Sequence, residues 1–568
     1  MSSKLQLTTL AVLVSAALPA HAALYKVVEV DSGLPDSEVS EKTEYYGTAI
    51  QPSPIADNTT FPKGCFEKDC GLGTDYKLAG ETRERPDGFS YREEVPFAMD
   101  NSFGYIEDDY DGFEDYCFFQ LGYATCEYWA SDRWSSWSNE TYGSDTPNSL
   151  AFIEGAAEKP TNSINTVINS FSKASGAASS IPVGNYSTSS KRNEVFSDVA
   201  NADVLTKPQS RAWASDGTYV VGSTSTKSGV GDNRYYYSSK AAVWNDTTLT
   251  AIDWAYNDEQ DGDYYAQGSM RDLYVDGSTF YGVGYNNYKD QHMNATIFTA
   301  HIEGSGALTK IDSILINGAE VDAGDDNTNT NSVATNINKN LVVAGQAKRS
   351  GRYPQNGAAA NRLFVVANAN SPSAHFLDSS DGSIFFNGAG GEMGSINNYN
   401  EIVGRIDSEN HREYDGKQRR QRAFIYPYDG NGTIAGRRNI FEDKRDGKVK
   451  AWLLDDLTND GKVSGTTDNN NQYRIYDATD INDAGVISAT AVMCSGGYDS
   501  TAHNAYCDGG DSDETVVAVK LVPISDEAQR NIEPRTYEST ASERQGGSLG
   551  FGALTLLGLF GFMRKKIK

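Results

Sequence analysis

At 568 residues and a formal charge of −28 at pH 7, the chain is long enough for several domains and too acidic to favour a nucleic-acid partner. Hydrophobic residues make up 38%, and 33 Tyr, 22 Phe and 54 Gly favour strands and turns over helices, so an all-β fold is expected. Only six histidines are present, and His21 falls in a segment expected to be removed, which leaves little for His-based catalysis.

Residues 1–22 join Lys4 to an apolar run over 5–18 and to Ala20-His21-Ala22, the layout of a secretory signal peptide cut between Ala22 and Ala23. Export agrees with the cysteines. Cys65 and Cys70, Cys117 and Cys126, and Cys494 and Cys507 form close pairs whose local pairing suits an oxidising compartment. Zinc is the rival for them, but no two CxxC units occur and no His stands at ligand spacing.

A repeat domain is expected over 23–540. Its first, weak copy sets KLAGE at 77–81 against SLAFIE at 149–154, around an acidic, aromatic insertion near 99–147 stapled by Cys117 and Cys126. There Asp109, Asp111, Glu114 and Asp115 place oxygen donors around Gly112, as a calcium loop requires. Trp129, Trp134 and Trp137 come after them; exposed, they would form a platform for a sugar or protein, and buried, the core of the insertion. The stretch near 160–208 reads as a connector or a degenerate repeat, in which INTVINSF at 164–171 suits a short helix.

The clear repeats come next. Turn residues, Asp-Gly at 216–217 and 276–277 and asparagines within 338–340 and 397–400, lead into short strands ending near Gly222, Gly282, Gly345 and Gly404, each succeeded by an apolar strand: KAAVW, ATIFTA, NRLFVVA and RAFIYP. The steps are 60, 63 and 59 residues; a fifth copy at Ala489, paired with VVAVKL, comes 85 later, after an insertion or a degenerate unit. About sixty residues hold four strands and their turns. The prediction is therefore a β-propeller of about six blades, five to seven being admissible, with long loop insertions. Sandwiches would need sharper boundaries and a solenoid a shorter period.

Within the later repeats, Asp456 and Asp460 before Gly461 resemble part of an EF-hand-type loop, and 508–514 (DGGDSDE) is a further acidic cluster; solvated loops are the bland reading of both. The run 411–422, with Arg412, Lys417, Arg419, Arg420 and Arg422, reads as a solvated hairpin tip or a dock for a second copy's acidic patch. Gly546-Gly547-Ser548-Leu549-Gly550 matches G-x-S-x-G but lacks the strand and helix that a nucleophile elbow needs.

Residues 541–568 carry Gly546, Gly547 and Ser548, the apolar LGFGALTLLGLFGFM and a basic end, RKKIK. This order resembles the GlyGly-CTERM sorting signal of Gram-negative bacteria. The resemblance implies a transmembrane sorting helix, signal peptidase and a rhombosortase-type protease for processing, and the type II secretion machinery. The pairing of I-N-x-x-G-x-I-V-G with R-A-F-I-Y resembles HAF-type repeats, and the whole layout is similar to an uncharacterised domain-of-unknown-function family of exported proteins. These resemblances imply the fold and an exported or cell-surface location with transient inner-membrane anchoring, and they bring no catalytic residue. The leading expectation for function is a non-enzymatic protein that binds an unknown glycan or protein, with calcium at the acidic loops the one cofactor indicated. The alternatives are a secreted polysaccharide hydrolase or lyase, with carboxylates as acid and base, and a calcium-gathering structural surface protein.

Overall fold

The computed structural model describes residues 23–538 apart from 54–60, 72–74, 87–88, 95–96, 98–108, 142–147, 158–159, 161–162, 175–180, 228–236, 257–258, 262–263, 289–292, 321–330, 349–360, 412–418 and 464–469. Ala22 of the signal cleavage pair, the sorting residues Gly546, Gly547 and Ser548 and the basic residues Arg412 and Lys417 lie outside the described residues.

Seven antiparallel sheets succeed one another along the chain and form the blades of a β-propeller, one more than the preferred six. Blade 1 contains Glu44–Ile50, Leu78–Arg83, Ala151–Ile153 and Ala156–Ala157; blade 2 contains Thr166–Phe171, Pro182–Tyr186 and Glu194–Phe196. Blades 3, 4 and 5 begin with Ser210–Ser215, Ser269–Asp276 and Ser332–Ile337, and blade 6 with Gly391–Ile396. Blade 7 takes Tyr473–Ile481, Ile487–Cys494 and Glu514–Pro523 from the end of the chain and Tyr25–Glu29 from its start. Tyr25 pairs with Pro523 and Glu29 with Val519, so the last sheet is completed by the first strand and the ring closes without a free joint.

The additional blade is blade 2. Of the two readings of 160–208, the degenerate repeat holds, and 166–171 is a strand, not a helix. Its Val167, Ile168 and Phe171 are buried, and the β-branched residues of TVINSF suit a pleated surface better than a helix. The long step to Ala489 is an insertion: residues 428–451 connect the third strand of blade 6, Gln421–Pro427, to its short fourth strand, Trp452–Leu453.

The repeated glycine and aromatic form one cross-strand unit. Gly80 pairs with Phe152, Gly282 with Phe298, Gly345 with Phe364 and Gly404 with Phe424. In blade 2, Gly184 pairs with Phe196. A Cβ on Gly345 would stand 2.3 Å from Phe364 Cζ and 2.5 Å from Val333 O, so the phenyl ring occupies the place of the absent side chain. The same rings fill the seams between blades, Phe424 among Val342, Ala344 and Leu363 of the preceding blade.

The turns between first and second strands gather on one face of the ring, the turn face. The opposite, loop face carries the connections between second and third strands: the insertion of blade 1, the basic hairpin of blade 6 and the loop of blade 7 closed by Cys494 and Cys507. All three expected disulfides are present, Cys65–Cys70, Cys117–Cys126 and Cys494–Cys507. No helix among the described residues is long and apolar enough to cross a membrane.

Candidate functional site

The inner strands of the blades surround a channel of about 660 Å³. A β-bulge in the first strand of each of blades 2 to 7 sets its lining. The register slips around Asn169 in blade 2, Trp213 in blade 3, Arg271 in blade 4, Thr335 in blade 5, Gly394 in blade 6 and Thr479 in blade 7, and every one of these residues faces the channel. A bulge places an extra residue against one partner and re-aims its neighbours. The residues immediately after them, Ser170, Ala214, Asp272, Asn336, Ser395 and Asp480, line the channel as a second ring.

Two members of that ring are carboxylates in equivalent positions. Asp272 Oδ2 accepts from the Ile337 amide of the next blade at 3.1 Å, and Asp480 Oδ2 accepts from the Ile50 amide at 3.0 Å. Lys173 reaches Asp272 Oδ1 at 2.6 Å. Lys173 stands farther from Asp480: burial pushes that carboxyl up, against the pull of the Ile50 amide, Ser395 and the more distant lysine. Glu392, farther along the channel, is also pushed up by burial, with Arg405 opposing.

At the turn face the channel ends in asparagine-rich turns that lock blade to blade. Asn338 Nδ2 donates to Asn397 O at 2.9 Å, Asn397 Nδ2 to Asn482 O at 3.1 Å, and Asn482 Nδ2 to Gln51 O at 2.9 Å. Each Oδ1 accepts from amides of its own turn, as in Val342 to Asn338 and Glu401 to Asn397. The asparagine of the I-N repeat is thus both turn former and inter-blade clasp. Exposed Lys173 and Lys339 stand at this mouth.

The other end is stoppered by the blade 1 insertion. Arg92 donates to Asn169 Oδ1 and O, Glu94 pairs with Arg271 at 2.9 Å, and the Arg271 guanidinium lies 3.7 Å from the Trp213 ring centroid. Phe97 meets Tyr285 of blade 4 at 4.6 Å, and the insertion core also packs on Met293 and Val333. The plug therefore crosses the channel from blade 1 to blades 4 and 5.

That core accounts for the tryptophans. Trp137 is fully buried; Trp129 stacks on Tyr116 at 5.9 Å, and Trp134 packs edge-on to Phe113 at 5.6 Å. The exposed-platform reading is corrected: the apolar area of the trio holds the insertion together around Cys117–Cys126. The expected calcium turn is also a different structure. Asp109–Asp115 is an α-helix, so Gly112 makes no turn, and Asp111 and Asp115 are exposed while Glu114 is half-buried. Asp460 accepts from the Lys462 amide and Asn471, and Asp456 from the Arg535 amide. Among the described residues no three His, Cys, Asp or Glu converge in metal-ligand geometry.

Asp456 belongs to a buried charge cluster on the loop-face side of blades 6 and 7. Arg422 Nε lies 2.9 Å from Asp455 Oδ2, His503 Nε2 3.1 Å from Asp456 Oδ1, and Arg535 Nε donates to Asp455 O at 2.7 Å. Arg474 donates to Ser500 O and Ala502 O and covers the Tyr498 ring at 4.0 Å. Despite burial, bonds from His503 and the surrounding arginines hold the Asp455 carboxyl well below its usual range. Burial and the neighbouring Arg535 bring Arg474 down to about 9. His503 moves up: burial works against its charge, but Asp455 and Asp456 outweigh it. Arg419 and Arg422 of the basic run are therefore internal, Arg419 bonded to Asp407 and Gly388 O, and do not form a solvated tip.

A family model for a protein of unknown function, DUF3466, matches residues 235–565. The chain belongs to this DUF3466 family. The match runs from the third strand of blade 3 through blades 4 to 7, and so includes Asp272, Glu392, Asp480 and the buried charge cluster. No curated protein matches the chain.

Three solved structures show distant likeness. An acylaminoacyl peptidase of Pyrococcus horikoshii is 9% identical over 55% of this chain, which spans 38% of its length, with a TM-score of 0.24. A putative glycosidase from Bacteroides thetaiotaomicron is 10% identical over 55% of this chain and 86% of its own, with a TM-score of 0.22. Bacillus subtilis levansucrase is 10% identical over 57% of this chain and 84% of its own, also with a TM-score of 0.22. Likenesses at this level carry no argument about activity.

The ring carboxylates escape a motif search because each repeat contributes one residue at a time. Their signal is positional: Asp480 stands two residues before the asparagine of I-N, as do Asn336 and Ser395.

Proposed function

We propose that this protein is an exported or surface-associated binding protein whose ligand enters the channel from the turn face and is held by the ring of polar side chains after the bulges. The observation that carries this reading is the channel of about 660 Å³, lined by blades 1 to 7 and stoppered at its loop-face end. Such a volume suits a compact ligand, and the hydroxyl, amide and carboxylate groups of Ser170, Asp272, Asn336, Ser395 and Asp480 suit a hydroxyl-rich one, so a glycan segment is the ligand class. The signal-peptide layout of 1–22, the GlyGly-CTERM-like order of 541–568 and the three disulfides support export and transient inner-membrane anchoring by the tail. Glycan-array binding of the mature protein is expected and is lost in Thr335→Trp, which fills the channel; unchanged binding in that variant, with the fold intact by circular dichroism, refutes the site.

A second reading rests on a different observation: Asp480 and Glu392 both line the channel, and burial pushes the Asp480 carboxyl up, as a general acid requires, while Glu392 stays paired with Arg405 as a carboxylate requires. In this reading the protein cleaves a polysaccharide. Turnover abolished by Glu392→Gln or Asp480→Asn establishes it, and no turnover of any glycan that the protein binds removes it.

A further inference from the structure

All six exposed aromatic residues among the described residues lie on the loop face. Phe118, Phe119 and Tyr128 project from the insertion, Tyr256 from the linker between blades 3 and 4, Tyr506 from the Cys494–Cys507 loop, and Tyr537 from the end of the described chain. Tyr128 is 87% exposed and Phe119 47%. Of the exposed aliphatic residues, Ile181 is in a turn-face connection, whereas Leu205 and Val463 are, like Tyr256, in linkers between blades. Aromatic rings with one wet edge are the side chains that a bilayer interface favours.

The route of the tail supplies the occupant. After Pro523 at the turn face, residues 524–538 climb the groove between blades 6 and 7: Ile524 donates to Leu24 O, Asn459 donates to Glu533 O, and Arg535 enters the buried charge cluster. His503 then donates its amide to Thr536 O, Tyr537 Oη donates to Ser408 O, and the Glu538 amide to Asn504 Oδ1. The chain thus leaves the ring at the loop face. Ten residues, 539–548, separate Glu538 from the apolar run that begins at Leu549. Fully extended they span about 35 Å, and as a flexible coil about 17 Å. The nine-residue inner strand of blade 7 alone rises about 30 Å, before its turns are added. A tether of this length has no slack to bring the turn face to a membrane.

We propose that the loop face is the membrane-apposed face of the anchored protein, seated on a lipid bilayer through the exposed aromatics, with the channel mouth at Lys173 and Lys339 turned away from the bilayer. The orientation rests on the tail anchoring proposed above. The carboxylates of the insertion oppose adsorption to an anionic leaflet, so the tether and the rings together, not charge, hold the face down.

All cysteines are disulfide-bonded, so a single introduced cysteine can be labelled alone. Full-length Phe119→Cys and Ile181→Cys proteins, each carrying an environment-sensitive fluorophore, are reconstituted in phosphatidylcholine vesicles with a lipid-borne quencher. Flotation with the vesicles reads the anchoring, and quenching reads the orientation. The expected result is flotation of both and several-fold stronger quenching at position 119 than at 181, reduced when Phe118 and Tyr128 are changed to Ser. Flotation with equal or reversed quenching overturns the orientation while leaving the anchor in place; failure to float overturns both.

Discussion

Asp455→Ala tests whether the buried charge cluster fastens the tail to blades 6 and 7. Asp455 is 0% exposed; its Oδ2 lies 2.9 Å from Arg422 Nε, and its Oδ1 accepts the Ile475 amide at 2.7 Å. At an effective dielectric near 20, a pair at that separation attracts by about 6 kcal/mol. Desolvation of both ions takes back much of this, yet removing one partner strands the others without solvent. Arg422, Arg474 and Arg535 would then lose the carboxylate they share, with Asp456 and Asp460 left near Arg535, so the expected loss is about 3–5 kcal/mol, as for other broken buried pairs. Urea unfolding of the mature protein reads the loss as a lower midpoint at unchanged slope, and limited proteolysis reads earlier release of 524–538. The depressed carboxyl gives the sign of the pH dependence: its stabilisation is present above the ordinary aspartate range and disappears as pH falls through the lowered value. A loss below about 1 kcal/mol, the scale of a surface ion pair, refutes the reasoning.

Gly345→Ala presses a methyl group into Phe364 and Val333 O, both inside the packed seam, and should cost about 1–3 kcal/mol in the same unfolding assay, with wild-type stability counting against the ring-over-glycine unit. Asn397→Ala removes the clasp to Asn482 O and leaves Glu401 without one of its donors, for a loss of about 1–3 kcal/mol. Asn397→Asp should be worse than alanine, because it sets a second carboxylate 2.6 Å from Glu401; the opposite order by thermal melting refutes the clasp. His503 titrates upward in the fold, so its contribution is complete below its ordinary value near 6.5 and fades as pH rises through the raised one. Hydrogen exchange of 535–538 should therefore accelerate on raising the pH beyond the intrinsic rate increase, and a His503→Gln protein should lack that extra step.

Much of the fold was legible because a propeller repeats its local rules. The turn Asn or Asp, the Gly of the second strand and the Phe of the third recur at Gly282, Gly345 and Gly404, where the period is steady. Blade 2 is legible only as a connector or a degenerate repeat because it is short of a fourth strand and its Gly184 and Phe196 are separated by a polar stretch without repeat spacing. The cysteine partners were legible for a simpler reason: each closes a loop of 5, 9 or 13 residues, which few folds would leave unpaired in an oxidising compartment. The tryptophans and the acidic clusters were not, since composition says nothing about which side of a helix meets a neighbour. Trp137 faces the insertion core, and Asp456, which looks like a calcium ligand or a solvated acid in a linear reading, joins its neighbour Asp455 in a buried cluster with arginines contributed from 422, 474 and 535.

By itself the amino-acid sequence determined the all-β class, the repeat, the disulfide pairs and the existence of the insertion, because each depends on contacts between residues near one another in the chain. Only the tertiary structure decided the seventh blade, the channel and its ring of Asp272 and Asp480, the plug and the loop-face exit of the tail. Those arise where residues hundreds of positions apart are brought together by ring closure, as when Ile50 meets Asp480 and Tyr25 meets Pro523, and no local pattern of side chains encodes which of them will share a wall.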